Sequence, residues 1–193
     1  MITNYPFNYR HLGLIALAAL MAATRFHHFA STLALPDASL AVFFLAGLWF
    51  AGRYLFIFLL LEAGLIDYLA ITQFGVSDFC ISSAYFFLIP TYFVMWSAGK
   101  FCQPDKALLK DYTVLKQITL LSLATASAFL ISNGSFYLFS GRFTELTWPV
   151  YSAQFGNYFP PYLLAALAYV GVIYALVMLF QRYFTSTTAL QHS

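Results

Sequence analysis

Charged side chains are scarce in this sequence: Asp, Glu, Lys and Arg together make up only 8% of its 193 residues. Soluble domains carry about 25% charged residues, and a water-soluble fold with a third of that share would expose too much apolar surface. The chain is 62% hydrophobic with a mean hydropathy of +0.77, so we expect its solvent to be lipid. No basic run follows a phosphate backbone, which argues against nucleic acid as a partner.

Motifs of common catalytic and nucleotide sites are also missing. The sequence has no GxxxxGK[ST], no GxSxG, no HExxH and no GxGxxG. It has two cysteines and neither a CxxC nor an HxxxH pair, which disfavours a structural zinc site. The chain therefore carries no ATPase and no recognisable catalytic apparatus of its own.

Long apolar runs are abundant instead, and they predict an all-α integral membrane protein with one domain and six transmembrane helices. The runs cover about 12–24, 38–51, 54–74, 79–98, 114–132 and 162–183. Crossing the hydrocarbon core takes roughly 20 residues, so the first two runs are short and the last four are long enough.

The positions of the nine basic residues predict the orientation. With both termini in the cytoplasm, Arg25 and Arg142 lie outside and the other seven Lys and Arg lie inside or at inner helix ends. This is the positive-inside pattern, and the opposite orientation would invert it.

The two cysteines are predicted to lie at opposite ends of helix four. Cys80 and Cys102 are separated by about 20 helical residues, or roughly 30 Å, which is too far for a disulfide. With Ser77 or Asp78 as helix cap, Cys80 falls in the first turn, where free amides and the helix dipole stabilise a thiolate and the Asp78 charge opposes it. A thiolate suits a soft metal, but a small buried packing residue is the common fate of cysteine. The role of Cys102 is left open.

Other polar residues are predicted near the same outer face. Asp67 lies in the outer third of helix three, where an acid usually faces a cavity, and Glu62 lies near the bilayer middle as a packing residue or an interior acid. His27 and His28 are adjacent, so at most one of them reaches a shared site. The outward-facing polar group around Cys80 is therefore Asp67, one of the two histidines, Arg142 and Glu145.

A long outer loop is predicted at 133–161, which is far longer than a usual connection. It contains nine aromatic residues, so it is expected to form a belt at the lipid interface, to pack against the rest of the protein, or to cover a ligand. Helix one offers a different surface, because Ala18 and Ala22 stand four apart and let another helix approach closely.

Three stretches carry a resemblance to a known family. They are "GVSDFCISSAYFFLIPTYF" (75–93), "RFHHFASTLALPDASLAVFFLAGLWF" (25–50) and "LLLEAGLIDYLAITQF" (59–74). Together with six helices and an alanine-rich helix one, they resemble the BtuM family. These are solitary proteins of Gram-negative bacteria, similar to the S-components of energy-coupling-factor (ECF) vitamin transporters, and are linked to vitamin B12 uptake. The resemblance covers essentially the whole chain.

The resemblance implies a multi-pass protein of the bacterial inner membrane with cobalamin as its ligand. It implies Cys80 as axial donor to cobalt in place of the vitamin's own benzimidazole, with removal of the upper cyano ligand as a side activity. It also implies an ECF-type module or another membrane partner, which the helix-one alanine face with Ala18 and Ala22 would dock. From position, the residues expected to bind the ring or its polar groups are Asp67, His28, Tyr85, Arg142, Tyr137 and Phe155.

Two alternatives stay open from the residues alone. One is a membrane enzyme with Cys80 as nucleophile and His28 as base, for example in acyl transfer. The other is a structural subunit that docks a partner through its alanine face and binds no ligand.

Overall fold

Six α-helices make up most of the computed structural model, which describes residues 7–27, 35–79, 81–103, 110–144 and 146–190. The helices are α1 Phe7–His27, α2 Ser39–Trp49, α3 Arg53–Phe74, α4 Leu88–Phe101, α5 Lys110–Phe139 and α6 Trp148–Leu190. A 3₁₀ helix, Ser83–Phe87, directly precedes α4. No strand occurs in these ranges, so the all-α prediction is confirmed.

Three of the helices are long and apolar enough to cross a membrane. The segments are Arg53–Phe74 in α3, Val114–Phe139 in α5 and Trp148–Phe180 in α6. Apolar stretches in α1 and α2 are shorter, at His11–Arg25 and Ser39–Trp49. The chain is thus consistent with a membrane protein, while six crossings remain a prediction.

The short helix α2 is the centre of the bundle. Ten of its eleven residues are buried, because it packs against α1, α3, α4 and α6. Phe43 and Phe44 are fully enclosed, and the Phe43 ring stacks on Tyr92 of α4 with centroids 4.3 Å apart. This position explains why the α2 sequence is apolar on every face, since a helix buried all round has no polar side.

Two glycines allow α2 and α4 to cross at backbone contact. A Cβ atom at Gly47 would collide with the main-chain carbonyl of Trp96, and one at Gly99 would collide with that of Phe44. Because the obstructing atoms are backbone atoms, a side chain at either position forces the two helices apart.

The predicted outer loop 133–161 is wrong, because most of it is helix. α5 continues to Phe139 and α6 begins at Trp148, so the connection is only residues 140–147. Aromatic residues from the supposed loop and the first residue after it recur at helical spacing and share one face: Tyr151, Phe155, Phe159 and Tyr162. The last three surround the Phe129 ring of α5 at centroid distances of 5.3–5.4 Å. This packing stabilises α6 where it contains Pro160 and Pro161, two residues that ordinarily interrupt a helix.

The predicted start of helix four is also wrong. Gly75 ends α3 in the left-handed conformation with φ of 65°, and residues 75–78 are not helical. Ser82 is the residue that caps the 3₁₀ helix, since its side chain accepts a hydrogen bond from the Ala84 amide at 3.3 Å. Ser77 instead accepts from the Phe79 amide. The 3₁₀ helix therefore begins three positions after Cys80 and α4 eight positions after it. Cys80 itself lies outside the described residues.

Candidate functional site

A buried ion pair joins the ends of α1 and α3. The Arg25 Nε atom donates to Asp67 Oδ1 at 2.6 Å, and its Nη2 atom donates to Asp67 Oδ2 at 2.5 Å. Arg25 is 6% exposed and Asp67 is 8% exposed. Two parallel hydrogen bonds from one guanidinium match carboxylate geometry and fix both side chains.

The third guanidinium nitrogen extends this pair to α2 and α4. Arg25 Nη1 donates to Tyr92 Oη at 2.6 Å, to Ser39 Oγ at 3.1 Å and to Asp37 Oδ2 at 3.2 Å. Asp37 in turn accepts from the Ser39 amide and hydroxyl. We call the set the Arg25 network: Arg25, Asp37, Ser39, Asp67, Tyr85 and Tyr92. Its single guanidinium faces two carboxylates.

Tyr85 connects the 3₁₀ helix to this network. Its hydroxyl donates to Asp67 Oδ2 at 2.7 Å, so one carboxylate oxygen accepts from both Tyr85 and Arg25. Tyr85 is only partly buried, whereas Tyr92 is buried. The site residues Asp67 and Tyr85, which were predicted separately, are therefore in direct contact.

The Arg25 network lies at one end of the bundle. α2 begins there, and the Pro36 carbonyl just before it accepts a hydrogen bond of 2.7 Å from the Tyr169 hydroxyl of α6. α6 starts at Trp148, twenty-one positions earlier, so it runs for about 30 Å along its axis beyond that contact. Leu35, above the start of α2, is 61% exposed. α6 thus extends well past the start of α2, and we call the position beside it, over the Arg25 network, the recess.

The segment 75–87 is fastened beside this recess. The Ser83 hydroxyl donates to the Phe139 carbonyl at 2.7 Å, and Phe87 stacks on the Phe139 ring. The Phe79 ring packs against the Phe136 ring with centroids 5.8 Å apart, and the Arg142 guanidinium lies 4.7 Å from the centroid of the Phe79 ring. Tyr85 ties the same segment to the floor, so its contacts reach both α3 and the end of α5.

The other predicted binding residues lie in different surroundings. Tyr137 exchanges hydrogen bonds with the main chain of Thr147, at 2.7 and 3.1 Å, which closes the connection between α5 and α6. Phe155 packs between Phe129 and Phe159 inside that helix pair. Their contact with a ligand stays a prediction. His28, Cys80 and Glu145 lie outside the described residues.

Sequence reasoning missed the residues that hold Asp67 in place. Arg25 was predicted as an outer-loop cation, but it ends α1 as a buried residue whose partners are 12 and 42 positions away in the chain. Tyr92 and Ser39 sit in apolar runs and gave no signal. The usable signal is that Asp67 is predicted in the outer third of helix three and Arg25 just outside the same face, since charges at such depths pair with one another.

Several remaining candidates stand apart from the recess. Glu62 has a buried Oε2 atom with no hydrogen-bond partner among the described residues. Cys102 is buried near the opposite end of α4, where desolvation raises the pKa of its thiol and Lys116 acts in the other direction. Within the described ranges, no three His, Cys, Asp or Glu side chains group as a metal site.

A shallow hollow on α5 also lies at the opposite end of the bundle. Its lining is almost entirely apolar and consists of Leu115, Lys116, Thr119 and Leu120. It shares no residue with the Arg25 network, and convergent polar groups, which mark a specific ligand site, occur at the recess instead.

Comparison with known proteins gives no family assignment. No protein-family model matches the chain, and no characterised protein matches it.

Proposed function

We propose that the protein is a multi-pass protein of the bacterial inner membrane, with six crossings and both termini in the cytoplasm, that binds cobalamin from the outer side for uptake. The recess over the Arg25 network is the proposed binding site, and Cys80 is the proposed axial donor to cobalt. The proposal begins from the resemblance of three sequence stretches to the BtuM family.

One observation carries the proposal furthest. The stretch 75–93, one of the three that carry the resemblance, is tied to the recess floor through Tyr85 and Asp67 and to the end of α5 through Ser83 and Phe139. Fixed contacts of the residues that follow Cys80 favour an axial metal donor at that position, because a coordinate bond tolerates little misplacement. The surrounding aromatic rings suit a broad, flat corrin, and exposed Arg142 suits its phosphate.

The chemistry of Cys80 follows from its proposed contact with cobalt. A thiolate is an electron-rich, soft donor, and its electron pair would replace that of the benzimidazole, which leaves the lower axial position with its own pair. The cyano group would leave the upper position with its own pair, and water can take its place. Cobalt stays in the +3 state, and the released cyanide takes up a proton. Cyanide loss is therefore a ligand exchange that needs no reductant.

A membrane partner is the remaining part of the proposal, since the sequence carries no ATPase motif. Leu17 and Met21 of α1 are buried, whereas Ala18 and Ala22 are partly exposed beside them. Small side chains allow a second helix to approach closely, so this face is the proposed dock for an ECF-type module.

The proposed binding is tested on protein purified in detergent from cells grown with and without cyanocobalamin. We expect coloured protein from supplemented cells, with about one cobalt per chain, as for a single formed ligand site. Free cyanide is measured in parallel after the vitamin is added to ligand-free protein.

Colourless protein that binds no added cobalamin at micromolar concentration would reject the proposal. Labelling of Cys80 by an acyl donor, without any corrin chromophore, would then favour the membrane enzyme with a Cys80 nucleophile and His28 base. Stability that depends on a co-expressed membrane partner, again with no ligand, would favour the structural subunit.

A further inference from the structure

We propose that the recess floor recognises carboxamide N–H groups on the rim of its ligand and rejects carboxylates at the same positions. This inference rests on the proposed function and adds which side of the contact donates hydrogen bonds and which side accepts them. It follows from an inventory of hydrogen-bond donors and acceptors at the floor.

Most donors of the described floor residues are directed at one another, and the Tyr92 hydroxyl, which accepts from Arg25, is buried at 4% exposure. All three Arg25 nitrogens donate to network partners. The Ser39 hydroxyl donates to Asp37 Oδ1 at 2.6 Å, and the Tyr169 hydroxyl donates to the Pro36 carbonyl at 2.7 Å. A ligand that arrives with acceptor groups thus meets donors that are already engaged.

The hydroxyl donor of Tyr85, at the edge of the floor, is also engaged. A phenol has one O–H and two lone pairs, and the Tyr85 proton is committed to Asp67 Oδ2. The Tyr85 oxygen can therefore only accept a hydrogen bond from a further neighbour. The side chain is partly buried rather than enclosed, so it borders the recess.

Charge acts in the same direction. The network holds one guanidinium against two carboxylates, Asp67 at 10% side-chain exposure and Asp37 at 24%. A ligand carboxylate brought to this surface would meet like charge in a poorly solvated place, whereas an amide N–H would meet acceptors. The exposed cation Arg142 lies at Phe79, away from the floor, and is free to serve the phosphate.

The test compares cobalamin with its monocarboxylate derivatives, in each of which one rim carboxamide is hydrolysed. Purified protein is titrated with each compound at neutral pH, and the dissociation constant is taken from the visible spectrum. We expect at least one derivative to bind at least about tenfold more weakly than cobalamin.

Two matched variants locate the effect. Tyr85→Phe keeps the ring and removes the oxygen, so we expect it to weaken cobalamin binding severalfold. The ratio of the dissociation constants of the monocarboxylates to that of cobalamin should become smaller. Tyr68→Phe is the same change at an exposed residue of α3, and it should leave both constants unchanged.

The inference is overturned if every monocarboxylate binds as tightly as cobalamin to the unaltered protein. It is overturned as well if the two tyrosine variants behave alike. Both results leave cobalamin binding intact, so they are distinguishable from failure of the proposed function, in which cobalamin itself does not bind and the inference falls with it.

Discussion

Arg25→Met lowers the free energy of unfolding by about 3–5 kcal/mol, as expected when one partner of a buried ion pair is removed. The change leaves the carboxylates of Asp67 and Asp37 desolvated without their cation, and it takes donors away from Ser39 and Tyr92. Equilibrium unfolding in detergent, followed by circular dichroism, measures the loss.

The control is Arg53→Met, because Arg53 is an exposed arginine at the other end of the bundle. It should change stability by less than about 0.5 kcal/mol. The double variant Arg25→Met with Asp67→Leu should recover part of the loss, since it removes a charge that Arg25→Met leaves unpaired. A single variant as stable as the parent would show that Arg25 is solvated and the network is not formed.

Gly99→Ala is expected to have the second large effect, a loss of about 3 kcal/mol from overpacking. Its methyl group would meet the main-chain carbonyl of Phe44 and amide of Leu48 in α2. Because α2 is the central helix, separating it from α4 also shifts Phe43 and Tyr92, whose rings stack beside the Arg25 network. The loss is measured as the shift of the thermal unfolding midpoint.

Gly171→Ala serves as the matched control, since it is the same change in α6 at a site with open space around the new methyl group. Alanine favours helix over glycine by about 1 kcal/mol, so this variant should be neutral or slightly more stable. Equal behaviour of the two variants would contradict backbone contact between α2 and α4.

The helices could be predicted from sequence because each one rests on a local property, a long apolar run. The same property is ambiguous for α2, because its apolar run of eleven residues also fits burial among four other helices, and its crossing of the membrane stays a prediction. A short run has the same composition in both situations, so length and neighbours decide between them.

The candidate site could be predicted only in part, since its contacts join distant positions. Asp67 stood out as an acid inside an apolar run, and Tyr85 followed from its position near Cys80. The link from Asp67 to Arg25 spans 42 positions, and that from Ser83 to Phe139 spans 56. Neither leaves a periodic pattern, so only the folded chain reveals them.

The central claim is that Cys80 binds the cobalt of cobalamin, and the most direct test is the visible absorption spectrum of the purified complex. Cys80→Ala is compared with the unaltered protein and with Cys102→Ala, which changes the buried cysteine near the other end of α4. We predict that Cys80→Ala loses the spectrum of thiolate-ligated cobalt while Cys102→Ala keeps it. A Cys80→Ala complex whose spectrum equals that of the unaltered protein would contradict the claim.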